Sequence, residues 1–187
     1  MAAVNRTEYA VLGLLALGAR TGYDIKKMAD EALGHFWNES FGHIYPILRR
    51  LDARGWVTST VEPQEGRPDR KVYALTPAGE EALREWFAMP VEPVPPRNEL
   101  LLKLFFAPLA PPADLRAQVE AHRELQREHL ARLDALAEEV AREEAHNPSL
   151  PYWLLTVDYG RAALRALVAW SDDALARLDA SPDSPAG

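Results

Sequence analysis

Two groups of side chains in this sequence have the types and spacing that suit a polyanion. Along Asn38-Glu39-Ser40 to Leu51, the apolar residues Phe41, Ile44, Ile47, Leu48 and Leu51 fall on one helical stripe. The outer face of that helix then carries Ser40, Gly42, His43, Tyr45, Arg49 and Arg50. Serine and histidine can read base edges, Gly42 permits close approach, and Tyr45 and Arg49 suit phosphates. Arg50 has a second reading, pairing with nearby acids. Further along, Trp56–Val61 and Lys71–Thr76 are β-branched and aromatic runs flanking the polar turn Glu62–Arg70. That is a hairpin with a long basic tip, offering Arg67, Arg70 and Lys71. Tyr23, beside Gly22 at the start of an earlier helix, either donates its hydroxyl to a phosphate or packs.

Other chemistries fare less well. His122 and His129 share a helical face, and Glu143-x-x-His146 follows, but no third ligand or positioned carboxylate joins them. A polar position in a helical seam accounts for both histidines, and no metal or cofactor is expected. The chain has no cysteine, which excludes disulfides and thiolate sites. No glycine-rich phosphate loop and no Ser–His–Asp arrangement can be argued, so an enzyme is not expected. Of the five tryptophans, Trp56 and Trp86 read as core. Trp37, Trp153 and Trp170 are freer, as are Phe105, Phe106 and Tyr152. An aromatic-lined cavity at the dimer interface, suited to a flat apolar effector, is one reading of Trp37, Trp153 and Trp170; ordinary packing is the other.

The elements that must position these groups follow from the pattern. The fold class is mostly α with a small β-wing. A first helix runs from about Thr7, its N-cap, to Leu17, apolar nearly all round and therefore buried. A second is announced by Thr21-Gly22-Tyr23 and ends near Leu33; the third begins near Asn38-Glu39-Ser40. After the hairpin, Thr76-Pro77 opens a fourth, with Thr at the N-cap, Pro in the first turn and acids beyond it. Four prolines between Pro90 and Pro96 form a stiff connection that ends this first domain at residue 89. Residues 97–180 read as helical, with helices over Glu99–Phe106, Ala113 to about Ala145 and Tyr152 to about Leu178; residues 181–187 read as a disordered tail. Alternating steps of four and three give the long helix a seam through Leu115, Val119, His122, Gln126, His129, Leu133, Leu136 and Val140. The last helix repeats it through Trp153, Val157, Gly160, Leu164, Leu167, Ser171, Ala174 and Leu178. One seam can be met within the chain, but too few helices are present to cover both fully, so Leu115, Val119, Leu133, Leu136, Val157, Leu164 and Leu167 are expected to meet a second subunit.

Charge is distributed to suit this. The net charge is −7, yet residues 1–90 carry 11 basic and 12 acidic groups, and residues 91–187 carry 10 and 16. Only the contacting face must meet phosphates, so a small basic patch on an acidic protein is compatible with DNA. No stretch approaches a membrane span, and the N-terminus lacks a secretory pattern; a cytoplasmic location is expected.

Helix–helix–helix–hairpin is the order of a winged helix-turn-helix. The motifs Tyr9-Ala10-Val11-Leu12-Gly13-Leu14-Leu15, Gly22-Tyr23-Asp24-Ile25, Ile44 to Leu51 and Gly66 to Gly79 resemble, in order and spacing, the PadR family of bacterial regulators over about residues 7–86. The later helices resemble the longer C-terminal domain of one subfamily in architecture. The resemblance implies a homodimeric repressor on palindromic double-stranded DNA, released by a small, commonly aromatic effector. It also implies that Tyr45 and the hairpin tip Gly66, Arg67 and Pro68 contact DNA. His43 stands where the family frequently has small polar residues. Two other classes compete with this reading: a winged helix that binds protein, against which the basic tip counts, and a helical-bundle metal or cofactor enzyme over residues 113–178.

Overall fold

The computed structural model describes residues 5–37, 44–63, 66, 69–93, 97–109 and 111–180. They fall into two compact units, residues 1–93 and 94–187.

In the first unit, α1 (Arg6–Ala16) is the central element. It buries Thr7, Glu8, Tyr9, Val11, Leu12, Leu14 and Leu15, as its nearly all-round apolar sequence requires. Its N-cap is Asn5 rather than the expected Thr7. Thr7 is already inside the helix, because the Asn5 carbonyl accepts from the Glu8 N–H at 3.0 Å. Next, α2 (Gly22–Ala32) starts at a capping box: the Thr21 hydroxyl accepts from the Asp24 N–H at 3.0 Å, and Asp24 Oδ2 accepts from the Thr21 N–H at 2.9 Å. Helix α3 (Ile44–Ala53) buries Ile44, Ile47, Leu48 and Leu51 against α1 and α2. Strands β1 (Val57–Glu62) and β2 (Arg70–Leu75) pair antiparallel, with Val57 opposite Leu75 and Glu62 opposite Arg70.

The unit closes with α4 (Pro77–Ala88), capped by Thr76 with Pro77 in the first turn, as the sequence predicts. Thr76 also welds this helix to the turn after α3. Its hydroxyl donates to the Gly55 carbonyl at 2.6 Å, and its N–H to the Trp56 carbonyl at 3.1 Å. That approach is so close that a Cβ on Gly79 would lie 2.0 Å from the Trp56 carbonyl oxygen. Both atoms are held by backbone, so neither can step aside. Gly79→Ala should therefore destabilise by about 2 kcal/mol, overcoming alanine's helical advantage. Gly13, inside α1, is the control: a methyl there would meet open space, with no atom within 4 Å. Gly13→Ala should stabilise by up to ~1 kcal/mol. Urea unfolding of the two variants checks both signs.

The second unit holds α5 (Glu99–Phe105), a 3₁₀ turn at Ala107–Leu109, and two long helices, α6 (Pro112–Glu143) and α7 (Leu150–Ala180). Helix α7 starts two residues earlier than expected. Pro151 falls in its first turn, where a missing N–H costs nothing. The ion pairs Arg116–Asp179 (2.8 Å), Arg123–Asp172 (3.1 Å) and Asp134–Arg161 (2.6 Å) run down one helix as they run up the other, so the two lie antiparallel. Their seams cover each other: Leu115, Val119, Gln126 and Leu133 of α6 are buried with Val157, Ser171 and Leu175 of α7. Part of each seam is thus covered within one chain. Leu115, Val119, Leu133 and Val157 are buried within the chain, while Leu136, Leu164 and Leu167 are only partly buried. The larger exposed apolar side chains include Leu101, Leu102 and Phe105 on α5, Phe106 at its C-cap, Leu109 in the 3₁₀ turn, and Tyr152, Leu155 and Tyr159 on α7. Among the described residues, no helix is long and apolar enough to cross a membrane.

Candidate nucleic-acid interface

Helix α3 has three faces, and each has a different task. The core face is Ile44, Ile47, Leu48 and Leu51. A second face carries Arg50 toward α1, joined by Arg54 just past the helix end. Arg50 Nε donates to Glu8 Oε1 at 2.8 Å and Arg54 Nη1 to Glu8 Oε2 at 2.6 Å. Glu8 is buried to 3% side-chain exposure, so one carboxylate is held by two guanidinium groups at the edge of the core. Arg54 also lies over the Trp56 ring, 5.0 Å from its centroid. The pairing foreseen for Arg50 is thus present, and it fixes the azimuth of α3.

The third face points to solvent. Tyr45 is 57% exposed, and Arg49, one turn on, is exposed and takes no ion pair among the described residues. The Tyr45 ring does not hang free. It lies across Gly22, the first residue of α2, and Tyr23 beside it is 72% exposed. Two phenols and a guanidinium therefore meet solvent from α2 and α3 together.

The hairpin is tied to the same end of α2. The Tyr73 N–H donates to the Arg20 carbonyl at 2.7 Å, covering the outer edge of β2. Arg20 pairs with Glu62 at 2.8 Å, and Arg70 Nη2 with Asp24 Oδ2 at 3.4 Å. Burial alone would raise the Asp24 carboxyl. The hydroxyl and N–H of Thr21, the N–H of Arg20 and the Arg70 guanidinium outweigh it and hold Asp24 below the ordinary carboxylate range. Asp24 thus stays charged at neutral pH, and the tie persists.

Arg70 departs from expectation. It is half-buried and engaged with Asp24, with its Nε enclosed, so it anchors the hairpin instead of standing free for phosphate. Lys71, the next residue and on the opposite face of the strand, is exposed with its ammonium 5.4 Å from the Tyr73 ring centroid. Gly66 at the tip is exposed and has φ of 71°, a left-handed turn that favours glycine. Ser40, His43, Arg67 and Pro68 lie outside the described residues.

Of the tryptophans assigned to an effector, Trp37 stands in the first unit and Trp153 and Trp170 in the second. Trp37 packs on the core of the first unit. Trp153 and Trp170 stand on one helix, about 25 Å apart at the helical rise. Trp170 meets His122 edge-on, ring centroids 6.2 Å apart, and His122 lies against Gln126 at 3.4 Å, a polar stretch of the seam. Sequence reasoning missed Glu8, Arg20, Gly22 and Asp24. The Thr21-x-x-Asp24 spacing was a visible capping signal, and Glu8 stood alone as an acid in an apolar helix; nothing local marked Arg20.

A helical triad, a clamped hairpin and a solvent-facing third helix define a winged helix-turn-helix protein, here followed by a separate helical unit. Comparison with known proteins agrees. Residues 11–85 match the transcriptional regulator PadR-like family, and residues 96–179 match the family described as virulence activator alpha C-term. The negative transcriptional regulator PadR of Bacillus subtilis is 37% identical over 101 residues, covering 53% of this chain and 55% of that protein. The chain spans about half the length of the curated relatives it matches. Among solved structures, B. subtilis PadR in complex with operator DNA is similar with a TM-score of 0.81 and 26% identity, over 94% of this chain and 100% of the other. The same protein in complex with p-coumaric acid has a TM-score of 0.74 and 27% identity, over 92% and 98%. The first unit thus carries a domain of the PadR-like family of transcriptional regulators.

Proposed function

We propose that this protein is a homodimeric, sequence-specific DNA-binding repressor whose α3 enters the major groove while the hairpin reaches the neighbouring backbone. The observation that carries the reading is the outward stripe of α3. Tyr45 and Arg49 face solvent beside the start of α2, and Lys71 stands on the hairpin tied to that same helix end. The solved complex of B. subtilis PadR with operator DNA supports it. Ser40, His43, Gly66 and Arg67 complete the proposed contact set, and Tyr23 adds a phosphate hydroxyl. Dimerisation is supported by the apolar side chains of α5 and α7 left exposed, since isolated soluble chains rarely carry such a surface. Release by a small aromatic effector is supported by the relative solved with p-coumaric acid.

Selection from a pool of random duplexes is the test. The enriched sequence should be an inverted repeat with half-sites about one helical turn apart. Its affinity should fall steeply, by about a thousandfold or more, between about 50 and 200 mM salt. A pool that enriches nothing, or binding indifferent to salt, overturns the reading. Hydroxylated aromatic acids titrated into the complex test the effector separately: release supports it, and no release by any of them removes that part.

A further inference from the structure

We infer that Gly22 is a positioning residue for Tyr45, a bare seat on α2 that sets where the phenol of α3 is presented; this rests on the reading of Tyr45 as a DNA contact. A Cβ placed on Gly22 would lie 2.9 Å from Tyr45 Cε1, 3.1 Å from Cζ and 3.4 Å from the hydroxyl oxygen. The ring therefore lies against the Gly22 Cα, and any side chain there would occupy its place.

The backbone does not require glycine at this position. Gly22 is the first residue of a capped α-helix, and it is not among the glycines with positive φ, which are Gly18, Gly55 and Gly66. Alanine is the better helix former, so the helix itself would favour it. What glycine secures is space for Tyr45. The contrast with Gly79 is instructive. There the obstructing atom is backbone and cannot yield, whereas here it is the far end of a rotatable side chain with more than half its surface in solvent. A methyl on Gly22 would displace the phenol cheaply, without disturbing the fold. Tyr45 buries little with the rest of the protein, so moving it changes what is presented to DNA more than what holds the domain together.

The cycle Gly22→Ala, Tyr45→Ala and the double variant tests this, with full-length protein, the selected duplex and melting temperatures for each. Gly22→Ala is expected to weaken binding by about tenfold, with a melting temperature equal to or above that of the wild type. In the Tyr45→Ala background it should have no further effect on affinity, because there is no ring left to move. Wild-type affinity of Gly22→Ala beside a weakened Tyr45→Ala overturns the seat and leaves the reading of Tyr45 standing. Wild-type affinity of Tyr45→Ala removes that reading and the seat with it. Equal losses in both backgrounds mean that Gly22 acts without Tyr45, and a lowered melting temperature means that its role is structural; either overturns the inference.

Discussion

Tyr45→Ala is expected to weaken binding to the selected duplex by about a hundredfold while leaving the slope of affinity against salt unchanged. The hydroxyl of Tyr45 takes no hydrogen bond among the described residues, and the side chain is mostly in solvent. Its loss should therefore register in the complex and hardly at all in the free protein. A hydrogen bond to a charged group contributes about 1.5 kcal/mol, and a two-fold dimer makes the contact twice. At about 1.4 kcal/mol per decade, that is two decades of affinity. The salt slope counts released counterions, hence neutralising charges, and a phenol brings none. Arg49→Ala supplies the contrast: it should flatten the slope by about one unit per subunit. Mobility shift over a salt series measures all of this, and unchanged affinity of Tyr45→Ala would remove Tyr45 from the interface.

The second large effect is on stability. Removing both Arg50 and Arg54 should cost about 3 kcal/mol, because it strands the Glu8 carboxylate inside the domain. Each arginine is nearly half exposed and returns to water easily; the buried acid cannot. The loss should accordingly sit at the low end of what breaking a buried pair costs. Each single replacement leaves one guanidinium on Glu8 and should cost less than half of the double. Adding Glu8→Leu to the double variant should restore most of the loss, since no charge is then left in the core. Denaturant unfolding of these variants beside the wild type checks the cycle. A triple variant no more stable than the double would mean that the ion pairs hold α3 through packing alone.

Much of the scaffold is legible in the order of residues. The hairpin followed from two β-branched runs, and α4 from Thr76-Pro77, because caps and turns are local chemistry. The inner stripe of α3 followed from spacing alone. What spacing could not supply was the partner of each face. Both long helices carried the same seam, and the sequence could not say that they would satisfy each other by lying antiparallel within one chain; that depends on the turn near residues 144–149 and on ion pairs such as Arg116–Asp179. Arg70 and Lys71 look equivalent as letters. Strand alternation sends one toward Asp24 and the other to solvent, and the register that decides this is set by residues across the sheet. Gly22 could be read as part of a motif, but its use depends on a ring arriving from another helix.

The hairpin's three fastenings to the residues before and within α2, through Arg20, Glu62, Tyr73, Asp24 and Arg70, leave it little room to swing on its own. Hairpin and α2 are thus joined as a single casting. On the proposed function, a signal that loosens the grip on DNA must either carry the whole first unit to a new place or first cut one of these stays. The second course has an obvious weak point in the long, partly exposed contact between Arg70 and Asp24.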